Sequence, residues 1–261
     1  MKRTIFFIIL LSIIAYLNWD RIEPFMPLAA PSPHAVADFE AAKRLLMEKV
    51  YYDHRETIYC GCPFDEKKRV DLTACGYTPR KDPRRAERLE WEHIVPAHAF
   101  GQSFAEWRDG HADCVDKKGR PFKGRQCARL TSGEFRRMEA DMYNLYPAVG
   151  EVNGDRSNYG MAEIPGEKRE YGACDVEIED RKIEPREAVR GIVARTYLYM
   201  DRTYPGRGVI SDKNRKLFEA WDALYPVTGW ECERMRRIEA VQKSEDPVLR
   251  GICEKAGPAG P

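Results

Sequence analysis

Apolar residues recur at helical spacing in five stretches of the chain. Asp38 stands ahead of the first, where Phe39, Ala42, Leu45 and Leu46 share one face, and its carboxylate is placed to cap a helix. Thr131 and Glu134 form a capping-box pattern before Phe135, Met138, Met142 and Leu145, which repeat at the same period. Pro147 then fits the first position of a further helix reaching to about Asn158. Three more stripes follow: Val189, Ile192, Val193, Tyr197 and Met200; Leu217, Phe218, Trp221 and Leu224; Met235, Ile238 and Val241. Residues 55–80 are Cys- and Gly-punctuated and strand or loop in character, and a strand is expected around Ala173 to Ile178. The pattern predicts one helix-rich α+β domain with a small sheet in the middle of the chain.

The first 37 residues read as an address. Lys2 and Arg3 precede an apolar run from Ile5 to Leu17, the layout of a secretory signal, and Ala35-Val36-Ala37 offers a small-x-small cleavage site. The run is shorter than the ~20 apolar residues of a comfortable membrane span. The long charged stretch from Asn18 to His34 keeps an uncleaved anchor as the alternative. The expected organisation is a leader or anchor at 1–37, a folded domain at 38–253 and a Gly/Pro tail at 254–261.

Eight cysteines follow the leader: Cys60, Cys62, Cys75, Cys114, Cys127, Cys174, Cys232 and Cys253. An even number behind an export signal reads as up to four disulfides in an oxidising compartment, periplasmic or extracellular. Cys60-Gly61-Cys62 is C-x-C, and no second pair follows at zinc-finger spacing. Cys114 and Cys127 are candidate partners because the basic segment between them would otherwise be loose. The remaining pairing stays open.

Charge changes the picture only locally. The chain has 43 basic and 42 acidic residues, so a polyanionic partner must be met by a patch and not by net charge. From Lys117 to Arg129 there are six basic residues and no acid, with Lys117, Lys118 and Lys123 as candidates for substrate phosphate. Arg80, Lys81, Arg84, Arg85 and Arg88 form a second cluster, diluted by Asp82 and Glu87.

Candidate chemistry centres on Glu92-His93, within WEHIVPAHAFG at 91–101. Glu92 is a hard oxygen donor suited to Mg²⁺, and His93, with an ordinary pKa near ~6.5, can take a proton from water at neutral pH. His93 and His98 lack the H-E-x-x-H spacing of a zinc protease.

These residues sit in blocks that resemble the bacterial endonuclease I family of exported nonspecific nucleases. The resemblance rests on WEHIVPAHAFG, on MEADMYNLYPAVGEVNGDRSN at 138–158, on VRGIVARTYLYM at 189–200 and on LFEAWDALYPVTGWECERMRRI at 217–238, and it runs from about 38 to about 247. It implies a ββα-metal (His-Me finger) site. In that site His93 is the general base, Glu92 and Asn153 hold the metal, and Arg125 binds the phosphate. Glu139 occupies a further catalytic position. The implied cofactor is Mg²⁺, with Ca²⁺ or Mn²⁺ as substitutes. The implied substrates are double- and single-stranded DNA and RNA, without sequence specificity, cut by a monomer that needs no protein partner. The family's C-terminal Gln-Gly-x-x-Asn-Pro is replaced here by Gln242-Lys243-Ser244-Glu245-Asp246-Pro247.

The chemistry is coherent on its own terms. In-line phosphodiester cleavage needs an activated water, neutralisation of the growing charge and a proton for the leaving oxygen. His93 meets the first need, and a metal on Glu92 and Asn153 meets the others. Arg125 can fork two hydrogen bonds onto a phosphate, which Lys cannot. Other classes fit less well. An idle nucleic-acid-binding protein would be free to lose Glu92, His93 or Asn153, a metallopeptidase would need H-E-x-x-H, and a disulfide-stapled adhesion module would need no such set.

Overall fold

The computed structural model describes residues 35–166 and 168–256. Most of the expected leader lies outside the described residues. Its last part does not: the Ala35 amide donates to the Gln242 carbonyl at 2.8 Å and Val36 is buried.

Helix α1 (Phe39–Leu45) begins where expected, with the Asp38 carboxylate accepting from the Ala41 amide. It runs on into a π-helical turn, Leu46–Val50, that buries both end residues. Residues 51–82 are turns and isolated bridges such as Glu56–Pro63 and Phe64–Val70. Cys60–Cys174 and Cys62–Cys75 pin this stretch in place of a regular backbone ladder. Helix α2 (Pro83–Ala86) leads into strand β1 (Leu89–His93). Helices α3 (Ala97–Gly101), α4 (Ala105–Arg108), α5 (Arg125–Thr131) and α6 (Gly133–Ala140) follow, with Cys114–Cys127 closing the loop between α4 and α5. A 3₁₀ turn (Met142–Asn144) then delivers strand β2 (Leu145–Val149) and helix α7 (Gly150–Arg156).

Strands β1 and β2 pair antiparallel, with Trp91 opposite Pro147 and His93 opposite Leu145. A second small sheet has the order β3 (Gly160–Met161), β5 (Lys182–Glu184), β4 (Glu177–Glu179). Helices α8 (Glu187–Thr203), α9 (Asp212–Leu224), α10 (Gly229–Gln242) and α11 (Arg250–Ala256) complete the domain. Cys232–Cys253 ties α11 to α10. The three C-terminal stripes are core as predicted, except for Leu224, which is 69% exposed. Helix α11 extends three residues past the expected start of the tail.

The middle of the chain corrects the pattern reading in four places. Ser132, not Thr131, caps α6. Thr131 ends α5, where its hydroxyl donates to the Cys127 carbonyl, and Glu134 pairs with Arg207 instead of closing a capping box. The helix stops at Ala140, although Met142 and Leu145 keep its period. Asp141 turns extended and its carboxylate is drawn into the core, accepting from the Tyr143 amide, the Tyr199 and Tyr204 hydroxyls and Gln242. From Asp141 to Val152 every residue is buried, and in such a run helical and strand periods cannot be told apart.

Pro147 opens no helix but lies inside β2. Its carbonyl accepts from the Ile58 amide, so this residue faces away from β1 and its missing N–H costs the ladder nothing. The helix starts at Gly150, whose added Cβ would lie 2.5 Å from the Arg85 carbonyl. That close approach seats α7 against the turn before β1. The strand expected around 173–178 is shorter and later, as β4.

Candidate active site

His93, at the end of β1, is buried to 7% exposure, and its Nε2 lies 2.9 Å from the backbone carbonyl of Glu139. A carbonyl can only accept, so Nε2 carries the proton and Nδ1 keeps its lone pair. The Phe39 ring packs 4.9 Å from the imidazole. Burial, reinforced by the Arg125 charge, pushes the His93 pKa down to about 3, so the ring is neutral at pH 7.

Glu92 is buried beside it. Its Oε1 accepts from the Tyr59 hydroxyl at 2.9 Å and from Arg156 Nη1 at 2.7 Å. Both contacts fall on one oxygen, which leaves Oε2 free to bind a cation. Burial pushes this carboxyl above the usual range, with Arg156 and Tyr59 acting against the shift. Arg156, itself 1% exposed, also donates to the carbonyls of His93 and Ile94 at 2.7 and 2.6 Å. The last residue of α7 thereby locks the end of β1.

Asn153 lies one helical turn earlier. Its Nδ2 donates to Glu90 Oε2 at 3.0 Å, and Glu90 is held in turn by Arg85 through Nε and Nη2 at 2.9 and 2.8 Å. A carboxylate admits only the amide's nitrogen, which sends Oδ1 the other way. Asn153, Glu92 and His93 line one cleft of about 580 Å³, together with Arg125, Arg85 and Trp107 among others.

Arg125 enters the cleft from the start of α5. Its Nε bonds Glu139 Oε1 at 2.5 Å and its side chain remains 40% exposed. Glu139 does not line the cleft. Its carboxylate, 1% exposed, also receives Arg129 through Nε and Nη2 at 2.7 and 2.5 Å. Burial alone would raise the Glu139 carboxyl, but the two guanidiniums outweigh it and hold the group below its ordinary range. One residue therefore orients the imidazole through its backbone and the arginines through its side chain.

Lys117, Lys118 and Lys123 are exposed on the Cys114–Cys127 loop and lie outside the cleft lining. The basic run is also weaker in space than in sequence. Arg120 pairs with Asp116, and Arg125 and Arg129 share Glu139, so half of its six cations already face carboxylates. The sequence reading missed Arg156, Tyr59, Glu90 and Phe39 as parts of the site. Glu90 could have been found from its i, i+2 relation to Glu92 on a strand. Phe39 read as core, and nothing local marks Tyr59.

The donor set suits a hard, hydrated cation: one carboxylate oxygen and one amide oxygen, both unencumbered, beside a neutral imidazole. Among the described residues no group of three or more His, Cys, Asp or Glu is placed to hold a metal, so this is a sparse site and not a cage. Glu92 Oε2 and Asn153 Oδ1 are the oxygens that could hold such a cation, with its other positions left to water and phosphate.

Comparison with known proteins identifies the family. The Endonuclease I family model matches residues 38–251. An extracellular deoxyribonuclease of Aeromonas hydrophila is 44% identical over 223 residues, covering 83% of this chain and 90% of the relative. A periplasmic deoxyribonuclease of the same species is also 44% identical, over 222 residues, covering 83% and 86%. Endonuclease-1 of Buchnera aphidicola subsp. Acyrthosiphon pisum (strain APS) is 36% identical over 226 residues, covering 84% and 83%. The chain is a nuclease and belongs to the endonuclease I family.

Proposed function

We propose that this protein is an exported, magnesium-dependent endonuclease that cuts DNA, single- or double-stranded, and RNA without sequence preference, acting as a monomer. One observation carries the reading. The bond from His93 Nε2 to the Glu139 carbonyl leaves Nδ1 as a free base in the same cleft as Glu92 and Asn153. In this reading β1, β2 and α7 form the ββα-metal motif.

His93 Nδ1 takes a proton from the attacking water, and the carbonyl of Glu139 stabilises the imidazolium that results. Arg125 directs its outer nitrogens at a non-bridging oxygen while Glu139 fixes its Nε. Arg156 and Tyr59 hold Glu92 so that Oε2 faces outward, and Glu90 does the same for Asn153 Oδ1. Those two oxygens would hold the magnesium ion, which when bound would supply positive charge and acidity beside the phosphate. The cations that line the cleft are suited to phosphate, which explains indifference to base sequence.

Export is supported by the leader pattern, by four disulfides that leave no free thiol among the described residues, and by relatives named extracellular or periplasmic. Among the described residues no helix is long and apolar enough to cross a membrane.

The test is plasmid relaxation with Mg²⁺, with EDTA, and with Ca²⁺ or Mn²⁺ in its place. Activity should vanish with EDTA and return with Mg²⁺. Glu92→Ala and Asn153→Ala should raise the Mg²⁺ concentration needed for half-maximal rate by about tenfold or more. Cleavage indifferent to chelator would contradict the metal assignment.

A further inference from the structure

Arg85 and Arg156 also line the cleft that holds Arg125. Arg156 is buried, with both terminal nitrogens committed to Glu92 and two backbone carbonyls. Arg85 is not. Its Nε and Nη2 fork onto Glu90, but Nη1 bonds to nothing among the described residues, and the side chain is 37% exposed.

The charge around it is in surplus. Arg88 lies 3.8 Å from the same carboxylate, so two guanidiniums share one Glu90. The neighbouring acids are occupied: Asp82 caps α2, and Asp155 accepts from the Tyr171 hydroxyl. The guanidinium also lies flat on the bare backbone of α7. A Cβ on Gly154 would come within 2.0 Å of Nη1 and 2.4 Å of Cζ. Glycine at this position, next to Asn153 in sequence, is what lets the cation reach the cleft.

We propose that Arg85 forms a second phosphate subsite, gripping the phosphodiester that neighbours the scissile one on the same strand. The proposal rests on the nuclease reading above. An unpaired guanidinium edge presents two N–H donors to a phosphate oxygen. Its Glu90 fork also supports Asn153, so the residue that holds the flanking phosphate is coupled to the one that holds the metal.

The two roles separate by substrate length. A dinucleotide has one phosphodiester and no flanking one, whereas an octanucleotide fills both sites. Arg85→Ala should lower kcat/KM for the octanucleotide about tenfold more than for the dinucleotide, and Arg85→Lys should fall between. Gly154→Ala should reproduce the effect with the charge still present. The new methyl displaces the guanidinium, while alanine is the better helix former, so misfolding does not explain a loss. In EDTA, the slope of log K against log salt for octanucleotide binding should flatten by about 0.7 for Arg85→Ala. Equal losses on both substrates, or an unchanged salt slope, would overturn the subsite and leave Arg85 as a support for Asn153. A wild-type protein that cuts neither substrate would contradict the nuclease reading instead, and the binding slope would still test the subsite.

Discussion

At the residue scale, the site depends on groups that never meet the substrate. Arg156 is the clearest. It neutralises a buried carboxylate and bonds two carbonyls at the end of β1, so its removal leaves Glu92 charged and unpaired inside the protein. Breaking one partner of such a pair costs about 3–5 kcal/mol. Arg156→Met should lower the unfolding free energy by that amount in urea titration, against less than about 1 kcal/mol for the exposed Lys118→Met.

Asp246 is a second case. Its carboxylate is buried, accepts from the Val248 and Leu249 amides, and is pushed up by burial to a pKa of about 6. A raised folded pKa means that the native state holds its proton longer than the unfolded chain. Stability is therefore full below about pH 4 and is lost as pH rises towards 6, by up to about 3 kcal/mol. The endonuclease I pattern has Asn here. Asp246→Asn should raise Tm at pH 8 and leave it nearly unchanged at pH 4; equal shifts at both would contradict the assignment.

At the element scale, the same C-terminal turn shows a substitution absorbed by the backbone. Lys243 ends α10 in the left-handed conformation, φ 60° and ψ 28°, where the family pattern has Gly. The turn is nonetheless formed, with the Lys243 amide donating to the Glu239 carbonyl. Removing the side chain relieves a conformation that L-residues resist, and Lys243→Gly should add about 0.5–1 kcal/mol in chemical denaturation.

Elements were legible from the sequence where one face meets solvent and the other the core. Helices α1, α8, α9 and α10 all declare themselves through such stripes. The region from Asp141 to Val149 did not, because it is buried throughout and its backbone follows tertiary demands: Asp141 drawn to two tyrosines, Pro147 turned to Ile58. His93, Glu92, Asn153 and Arg125 stood out through motif and chemistry, and the cleft brings all four together. Of their supports, Glu90 was open to the period-two spacing of β1, whereas Arg156 and Tyr59 reach Glu92 across 64 and 33 residues through hydrogen bonds that no local spacing records.

At the scale of the whole molecule, the cleft is assembled from separate stretches of chain: Phe39 from α1, Glu92 and His93 from β1, Arg125 from α5, and Asn153 and Arg156 from α7. Cross-links secure the parts with least regular structure. Cys60–Cys174 spans 114 residues and anchors the segment carrying Tyr59, while Cys114–Cys127 closes the loop that precedes Arg125. Charge follows the same economy. Overall it nearly cancels, and half of the basic run from Lys117 to Arg129 is used internally, so in the proposed reading phosphate is left to the few cations of the cleft.

In the proposed mechanism His93 Nδ1 is the base of a metal-assisted cleavage. The most direct measurement is single-turnover cleavage of a defined duplex by His93→Ala in Mg²⁺, with binding of the same duplex measured in EDTA. The rate should fall at least about a hundredfold below wild type with affinity within about threefold, because the base acts on water and contributes little to holding the ground state. Cleavage by His93→Ala at close to the wild-type rate would contradict it.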